Sequence, residues 1–201
     1  MSKPERDKAT KRQVACEAAL LLTEAIRELT IPQHLITWIN KLEAAQQVSE
    51  DCAAAVHRTA MASIVIGVYR VSETRQHFLV PWLFCEDKLL QLGLLSIEHF
   101  VRDRAAFQMV RSQWAAHARA KKSTNRQPGR LIDASALGRA LEKTGVGDED
   151  RFLKRVRNEL IPAVEKVRDN ILKIYPEARE FITKTYPDSL RQGAIDEENR
   201  S

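Results

Sequence analysis

Residues 111–117 read Arg-Ser-Gln-Trp-Ala-Ala-His and contain two side chains that can act together on a phosphate. Histidine has an unperturbed pKa of about 6.5, so His117 can accept and release protons near neutral pH. Arg111 keeps its charge in that range, and its planar guanidinium can hold two phosphate oxygens. Such a pair can assist attack of an RNA 2′-hydroxyl on the adjacent phosphate and stabilise the phosphorane that forms. The residue types therefore predict RNA cleavage that needs no metal ion.

The spacing of these two residues indicates how the site would be assembled. Six helical residues turn the chain by about 240° net, so Arg111 and His117 do not share one face of a straight helix. A single copy therefore makes a poor site. A two-fold dimer in which both copies of this helix line one cleft would bring the four side chains together. We predict a homodimer, with Trp114 in its core or at its interface.

The motif lies in a strongly basic part of the chain. Between residues 105 and 132 there are six basic side chains and no acidic one, whereas the formal net charge of the whole protein is only +5. Beyond Arg111, the basic residues of this window are predicted to contact nucleic-acid phosphates: Arg119, Lys121, Lys122, Arg126 and Arg130. We expect residues 121–130 to form a loop that is poorly ordered without RNA. A solvated surface loop is the alternative interpretation.

The motif consists of an arginine, a polar residue, a few mostly apolar positions and then Ala-His. This pattern resembles the signature of the HEPN superfamily, and it is most similar to that of the abortive-infection branch. Residues 69–73, Tyr-Arg-Val-Ser-Glu, look like the stretch that precedes the motif helix in that branch. The resemblance implies a homodimeric endoribonuclease, a toxin or defence effector with catalytic residues Arg111, Ser112 and His117. It also implies a cognate antitoxin protein as a partner. Ser112 stands where Asn, Asp or His is usual, and Arg119 stands where an acidic residue is common.

The residue types that can bind metals or form disulfides show no comparable pattern in this sequence. Glu73 and His77 lie four apart, but a lone pair of this kind is more typical of a polar surface than of a zinc site. The three cysteines, Cys16, Cys52 and Cys85, are far apart and form no CxxC pair. We therefore expect no metal or other cofactor, and we expect the cysteines to be buried, unreactive thiols.

Composition and periodicity predict an all-α fold, a single-domain helical bundle. Only seven of the 201 residues are glycine, which favours helices over a fold with many tight turns. We expect residues 11–187 to form the bundle, between a flexible N-terminus (residues 1–10) and a polar C-terminal tail (residues 188–201). The apolar periodicity and the helix-breaking and capping residues predict helices near residues 9–29, 33–45, 50–76, 82–92, 96–120, 133–144, 149–175 and 176–187.

Several of these boundaries depend on single residues. Ser49 is the expected N-cap of the third helix, with Cys52 as an early core position. Pro32 and Pro81 are expected to end the helices before them, and Gly93 to close the fourth. In the last long helix, Pro162 is expected to cause a kink. That helix also carries an apolar residue at every seventh position: Leu153, Leu160, Val167 and Ile174.

No stretch approaches the roughly 20 uninterrupted apolar residues that a membrane span requires. The longest candidate, residues 60–71, is interrupted by Ser, Gly, Tyr and Arg. The charged N-terminus does not have the pattern of a secretory signal. The sequence therefore predicts a soluble, cytoplasmic protein without a membrane partner.

Two alternatives to the ribonuclease remain open on the sequence. One is a helical module that binds nucleic acid or a partner protein through the basic window without catalysis. The other is an interaction protein that assembles through the seven-residue stripe of the last long helix. Loss of cleavage with retained binding in Arg111 or His117 variants would distinguish the enzyme from both.

Overall fold

The structure is a computed structural model, and it describes residues 3–101 and 148–186 of the chain. Within these ranges the regular secondary structure is exclusively helical, so the all-α prediction is confirmed for them. The described residues form five continuous helices: α1, Lys3–Ala44; α2, Glu50–Thr74 with a π-helical continuation Arg75–Leu83; α3, Lys88–Val101; α4, Glu149–Arg155, π-helical Val156–Leu160 and Ile161–Ile174; and α5, Pro176–Thr185.

Contacts between helix ends fix the directions of the helices. At one end, which we call the base, Lys11 near the start of α1 forms an ion pair with Glu86 between α2 and α3. Tyr175, between α4 and α5, donates its hydroxyl to the same carboxylate at 3.1 Å. At the opposite end, the top, α1 ends, α2 begins, α3 ends and α4 begins. The long helices therefore alternate in direction, as in an up-and-down bundle.

The helices α1 and α2 approach closely where small residues face α1. A Cβ added to Gly67 would lie 3.0 Å from Leu29 Cδ2 and 3.1 Å from Glu28 Cβ. The hydroxyl of Ser63 lies 3.5 Å from the Glu28 carbonyl oxygen. Ile64 and Val68, in the apolar stretch of residues 60–71, are both fully buried. The helix predicted near residues 50–76 is therefore confirmed over this stretch.

Pro32 does not end the first helix, contrary to the sequence prediction, because α1 runs through it to Ala44. A proline removes the backbone donor that would normally satisfy the carbonyl four residues earlier. Here that carbonyl belongs to Glu28, and the Ser63 hydroxyl of α2 is the donor beside it. Burial of Pro32 in the bundle holds the ring in place. A side chain of α2 thus provides the donor that the proline of α1 lacks.

Pro81 and Gly93 also lie inside helices, so the two predicted ends are wrong. Helix α2 passes Pro81 in a π-helical turn and ends at Leu83. The wider π-turn moves the carbonyls that would collide with the proline ring in an α-helix. Gly93 lies within α3, where a Cβ would come 2.6 Å from Val167 Cγ2. Gly93 is therefore needed for the close approach of α3 and α4, not for a helix end.

Helix α4 begins where the sequence predicts. The Asp148 side chain accepts a hydrogen bond from the Arg151 backbone N–H at 2.8 Å, which makes Asp148 the N-cap. The helix continues through Pro162, and a π-helical turn occupies the five residues Val156–Leu160 just before it. The buried stripe of α4 is Phe152, Val156, Leu160, Val164, Val167 and Ile171.

The predicted seven-residue stripe is only half right. Leu160 and Val167 are buried, whereas Leu153 and Ile174 are only partly buried. The π-turn changes the helical phase, so the buried face follows a spacing of mostly four residues instead of a strict seven-residue repeat.

The cysteines are not buried as predicted. Cys16 is half-buried, while Cys52 and Cys85 are exposed. In the first turn of α2 the core position is taken by Ala53, which is only 3% exposed, and Cys52 points away from it. Burial raises the pKa of the Cys16 thiol above its ordinary value. This is consistent with an unreactive thiol at that one position.

The helix Glu50–Leu83 is long and apolar enough to cross a membrane by length and composition. The core helix of a bundle passes the same test, and 44% of its most apolar window is buried. Its buried residues, among them Met61, Ile64 and Leu79, belong to the shared core of the described helices.

Candidate functional site

The predicted catalytic residues Arg111, Ser112 and His117 lie outside the described residues, and so does Trp114. The same holds for the predicted phosphate contacts: Arg119, Lys121, Lys122, Arg126 and Arg130. What the structure describes is the part of the bundle to which this segment is attached. The chain enters the segment after Val101, at the end of α3, and leaves it at Asp148, the N-cap of α4.

The two attachment points lie together at the top of the bundle. The rings of Phe100 and Phe152 have centroids 6.4 Å apart and are tilted by 41°. The Arg155 guanidinium carbon lies 5.1 Å from the Phe100 ring centroid, within the range of a cation–π contact. Glu159 orients that guanidinium by accepting hydrogen bonds of 3.1 and 3.2 Å from its Nε. Residues 102–147 therefore begin and end beside one aromatic contact.

An ion pair ties the start of α4 to α2. His57 Nε2 lies 2.9 Å from Glu149 Oε1, and both side chains are about one-third exposed. The hydrogen bond to Glu149 raises the pKa of His57, with smaller contributions from Asp150 and Glu43, while burial opposes them. Glu43, near the end of α1, is the smallest of these contributions. Protonated His57 is the form that this environment favours.

The first turns of α4 add exposed cations that the sequence reasoning did not single out. Arg151 and Lys154 are exposed and one helical turn apart. Their neighbour Arg157 is engaged, because its Nε donates to the Gln33 side-chain oxygen at 3.1 Å. Their position could have identified them from the sequence, because they follow directly on the predicted start of the last long helix and lie near the basic window in the chain. In RNA binding they would act as phosphate contacts without sequence preference.

Arg70, in the stretch that looks like the one preceding the HEPN motif helix, is enclosed by carboxylates. Its Nε and Nη2 donate to the two oxygens of Glu28 at 3.0 and 2.7 Å, and its Nη1 contacts Glu24. Tyr186 donates its hydroxyl to the other oxygen of Glu24 at 2.7 Å. Burial raises the pKa of Glu28, opposed by Arg70.

This arrangement ties α1 and α2 to the residue that follows α5. Because both faces of the Arg70 fork are already occupied by carboxylates, it is a structural contact and not an open phosphate site. Arg27 adds to it, with its guanidinium carbon 5.1 Å from the Tyr186 ring centroid.

The polar residues of the base have no reactive arrangement. Burial and the hydrogen bond to Glu86 raise the pKa of Tyr175 to about 12. The bond from Lys11 lowers the pKa of Glu86 below its ordinary value. Arg12 and Glu177 add an exposed ion pair with a separation of 3.4 Å. These groups are hydrogen-bonded or ion-paired with one another, so the base is suited to holding helix ends together.

Metal binding finds no support in the part of the chain that the structure describes. No group of three or more His, Cys, Asp or Glu side chains there could hold a metal ion. The candidate pair does not form a site either, since the Glu73 carboxylate accepts a hydrogen bond from the Tyr69 hydroxyl at 2.9 Å. Glu73 is thus engaged within its own helix.

Comparison with known proteins gives no relative from which a function could be inferred. No family model matches the chain, and it has no significant match among curated proteins or solved structures. The function must therefore be inferred from the chemistry of its own residues and from the way the bundle presents them.

Proposed function

We propose that the chain is a metal-independent endoribonuclease of the HEPN type, a toxin or defence effector that acts as a homodimer on RNA. The observation that carries the proposal is the pair Arg111 and His117 in a window with six basic residues and no acidic one. Ser112 is the third residue of the site. The all-helical architecture of the described residues agrees with the fold that the resemblance implies.

The chemistry requires one proton acceptor, one proton donor and one fixed cation. His117 accepts the proton of the RNA 2′-hydroxyl as its oxygen attacks the adjacent phosphorus. The bond to the 5′-oxygen breaks, and the protonated His117 of the second copy supplies the proton that this leaving oxygen takes up. Arg111 stabilises the negative charge of the phosphorane. The products are a 2′,3′-cyclic phosphate and a 5′-hydroxyl, and neither step uses a metal ion.

The way the bundle holds the segment supports this proposal. The residues that flank the segment 102–147 meet at the Phe100–Phe152 contact, so both ends of that segment are attached at one end of the described bundle. The exposed Arg151 and Lys154 lie where the segment rejoins the bundle. A strand of RNA bound by residues 119–130 would find further cations there.

The test is incubation of the purified protein with total RNA in excess EDTA. We expect cleavage with 2′,3′-cyclic phosphate ends, and we expect Arg111→Ala and His117→Ala to abolish it while RNA binding is retained. His77→Ala, which changes an exposed histidine on α2, is the matched control and should cleave as the parent does. Equal cleavage by the parent and the His117→Ala variant would show that the proposal is wrong.

A non-catalytic module that binds nucleic acid or a partner protein is the second candidate, and the basic window favours it. It predicts binding that falls steeply with salt and is unchanged by Arg111→Ala or His117→Ala, with no cleavage by any variant. The third interpretation, assembly through the seven-residue stripe of α4, loses its basis. Leu160 and Val167 of that stripe are buried in the chain's own core and cannot contact a partner.

A further inference from the structure

The second half of α1 turns one side to solvent, and basic and apolar side chains alternate along it. Five exposed residues make up this side: Arg27, Ile31, His34, Trp38 and Lys41. They follow one another at intervals of four, three, four and three residues, so a regular helix places them on one side over about 21 Å. We call this side the α1 outer face. Trp38, at 55% exposure, is its aromatic residue.

The acidic side chains of the same half-helix act on basic residues of α2 instead. Glu24 and Glu28 bind the guanidinium of Arg70. Glu43 contributes to the electrostatic environment of His57. No further acidic residue follows Glu24 in this helix. Negative charge is therefore used between α1 and α2, and the charge that α1 presents outwards is positive.

The cations of the α1 outer face are available to a ligand. Among the described residues, neither Arg27 nor Lys41 forms an ion pair with a carboxylate. The Arg27 guanidinium carbon lies 5.1 Å from the Tyr186 ring centroid, and this contact orients a side chain that remains exposed. An oriented arginine without a carboxylate partner is suited to binding a phosphate through two hydrogen bonds.

We propose that the α1 outer face binds single-stranded RNA, with a base stacked on Trp38 and phosphates contacted by the three basic side chains. Proteins that bind single strands combine cations that follow the backbone with exposed aromatic rings on which bases stack. Every base has a ring face, so this surface adds affinity without reading sequence. The proposal rests on the proposed function, because it takes RNA as the ligand, and it adds a second contact surface to it.

The other exposed apolar face of the bundle does not have this combination. Leu89, Leu92 and Leu95 on α3 are about half exposed. Between residues 86 and 98, however, Lys88 is the only basic residue, and there is no aromatic one. An apolar face without interspersed cations does not attract a polyanion. Charge and residue type together therefore distinguish the α1 outer face as the RNA surface.

The position of the α1 outer face relates it to the candidate cleavage site. Lys41 lies in the last turn of α1, at the top of the bundle. Helix α4 runs beside this half of α1, because Arg157 donates to Gln33 at 3.1 Å, and its first turns carry the exposed Arg151 and Lys154. An RNA strand on the α1 outer face therefore leads towards the end of the bundle where the motif segment is attached. Contacts remote from the cleaved bond, made equally before and during the reaction, lower KM and leave kcat unchanged.

The first experiment measures RNA binding by fluorescence anisotropy in a His117→Ala background, with a labelled oligouridylate of about 20 nucleotides. We expect Trp38→Ala to weaken binding on the order of tenfold and Trp38→Phe to retain most of the affinity, because a smaller ring still stacks. Trp82→Ala is the matched control, since it removes a 43% exposed tryptophan at the base, and it should bind as the parent does. All three variants should keep the parent's thermal midpoint, because both tryptophans are exposed.

The second experiment tests the cations of the α1 outer face. Replacing Arg27 and Lys41 by glutamine should lower the slope of log affinity against log salt by about one to two units. The same replacement of Lys8 and Lys88, two exposed lysines near the base, should leave the slope unchanged. An equal effect of the two double variants would overturn the proposal.

Three further results would overturn the proposal. One is a Trp38→Ala variant that binds the oligouridylate as tightly as the parent. Another is an equal loss of affinity for a fully paired RNA duplex, because stacking on a side chain requires an unpaired base. The last is a Trp38→Ala variant with altered sedimentation but unchanged RNA affinity, which would make the α1 outer face a contact with protein.

Failure of this surface and failure of the proposed function give different results. Cleavage that His117→Ala abolishes, with the same KM for the parent and Trp38→Ala, overturns the surface and leaves the enzyme. RNA binding that depends on Trp38, without cleavage by the parent, leaves the surface and removes the enzyme. If both proposals hold, Trp38→Ala raises KM on the order of tenfold with an unchanged kcat.

Discussion

The base and the top of the bundle are held together in different ways. At the base, the Glu86 carboxylate joins three parts of the chain through Lys11 and Tyr175. At the top, the described contacts include the Phe100–Phe152 pair, the Arg155 guanidinium over the Phe100 ring, and the ion pair of His57 and Glu149. The 46 residues 102–147 lie in the chain between Phe100 and Phe152. Hydrogen bonds and ion pairs thus join the helix ends at the base, whereas the contacts at the top include an aromatic pair that flanks the segment with the candidate site.

The largest expected difference between the top and the base of the bundle is in RNA binding. Replacing Lys121, Lys122, Arg126 and Arg130 by serine should weaken binding on the order of a hundredfold or more at low salt, because four phosphate contacts are lost. The slope of log affinity against log salt should fall by about four units. Fluorescence anisotropy at several salt concentrations measures both quantities.

The matched control removes four exposed cations from the lower half of the bundle and α5, namely Lys8, Lys173, Arg179 and Lys184. It should change the salt slope little, and both variants should keep the parent's thermal midpoint because exposed charges contribute little to stability. Equal loss of binding in the two variants would mean that the top has no special role.

Phe152→Ala should have the largest effect on stability. Phe152 is fully buried and forms the aromatic contact that closes the top. Truncation of a buried phenylalanine costs about 3–5 kcal/mol. Urea denaturation gives the free energy of unfolding, and Phe181→Ala, which truncates a 41% exposed phenylalanine on α5, is the control with a much smaller expected loss. A cost for Phe152→Ala as small as that of the control would contradict the tight closure of the top.

Gly93→Ala should destabilise the protein by about 1–3 kcal/mol, although alanine is the better helix former. Its Cβ would lie 2.6 Å from Val167 Cγ2, and a buried valine has little freedom to move away. The double variant with Val167→Ala removes the colliding methyl groups. The double variant should therefore have a higher free energy of unfolding than it would have if the losses of the two single variants were additive.

The smallest expected effect is a difference between the two ends in how their ion pairs contribute to stability as pH changes. The pKa of His57 is raised in the folded state, so its ion pair stabilises the top below the unfolded value of about 6.5 and is lost as pH rises through the folded value. The pKa of Glu86 is lowered, so its contribution is present above about 4.5 and is lost as pH falls through the folded value. Both pairs are partly exposed, so solvent screening keeps each contribution small.

Two-dimensional NMR titration of the histidine ring protons measures the first of these effects directly. Glu149→Gln should return the His57 pKa towards the ordinary value, and Glu86→Gln should leave it unchanged. An equal response to both substitutions would contradict the separation of the two ends.

Local signals in the sequence predicted the helix starts and the helical class. Ser49 is the N-cap that the sequence predicts, and Asp148 caps the last long helix next to its predicted start near residue 149, because a cap is made by residues three positions apart in the same segment. The burial of Ile64 and Val68 also follows from periodicity alone. Such features need no knowledge of the rest of the fold.

The features that the sequence did not predict depend on residues far away in the chain. Pro32 is tolerated with Ser63 beside the Glu28 carbonyl, 35 positions away from it. Gly93 faces Val167 of another helix, and Arg70 finds Glu28 at a separation of 42 residues. Residue type alone could nominate Arg111 and His117 as a chemical pair, but only tertiary packing decides which side chains of two segments meet. That is why the sequence predicts the chemistry of the site and not its geometry.

The close crossing of α1 and α2 has a consequence for the order in which the protein folds. Gly67 against Leu29 and Ser63 against Glu28 join two helices that are separated by one short turn, so the entropy cost of closing that loop is small. The Phe100–Phe152 contact must wait until a far longer stretch has been brought back. We therefore expect the α1–α2 hairpin to belong to the folding nucleus and the top to form late. Gly67→Ala should then slow folding, whereas Phe152→Ala should mainly speed unfolding, and stopped-flow measurements of both rates would show the opposite pattern if the hairpin formed last.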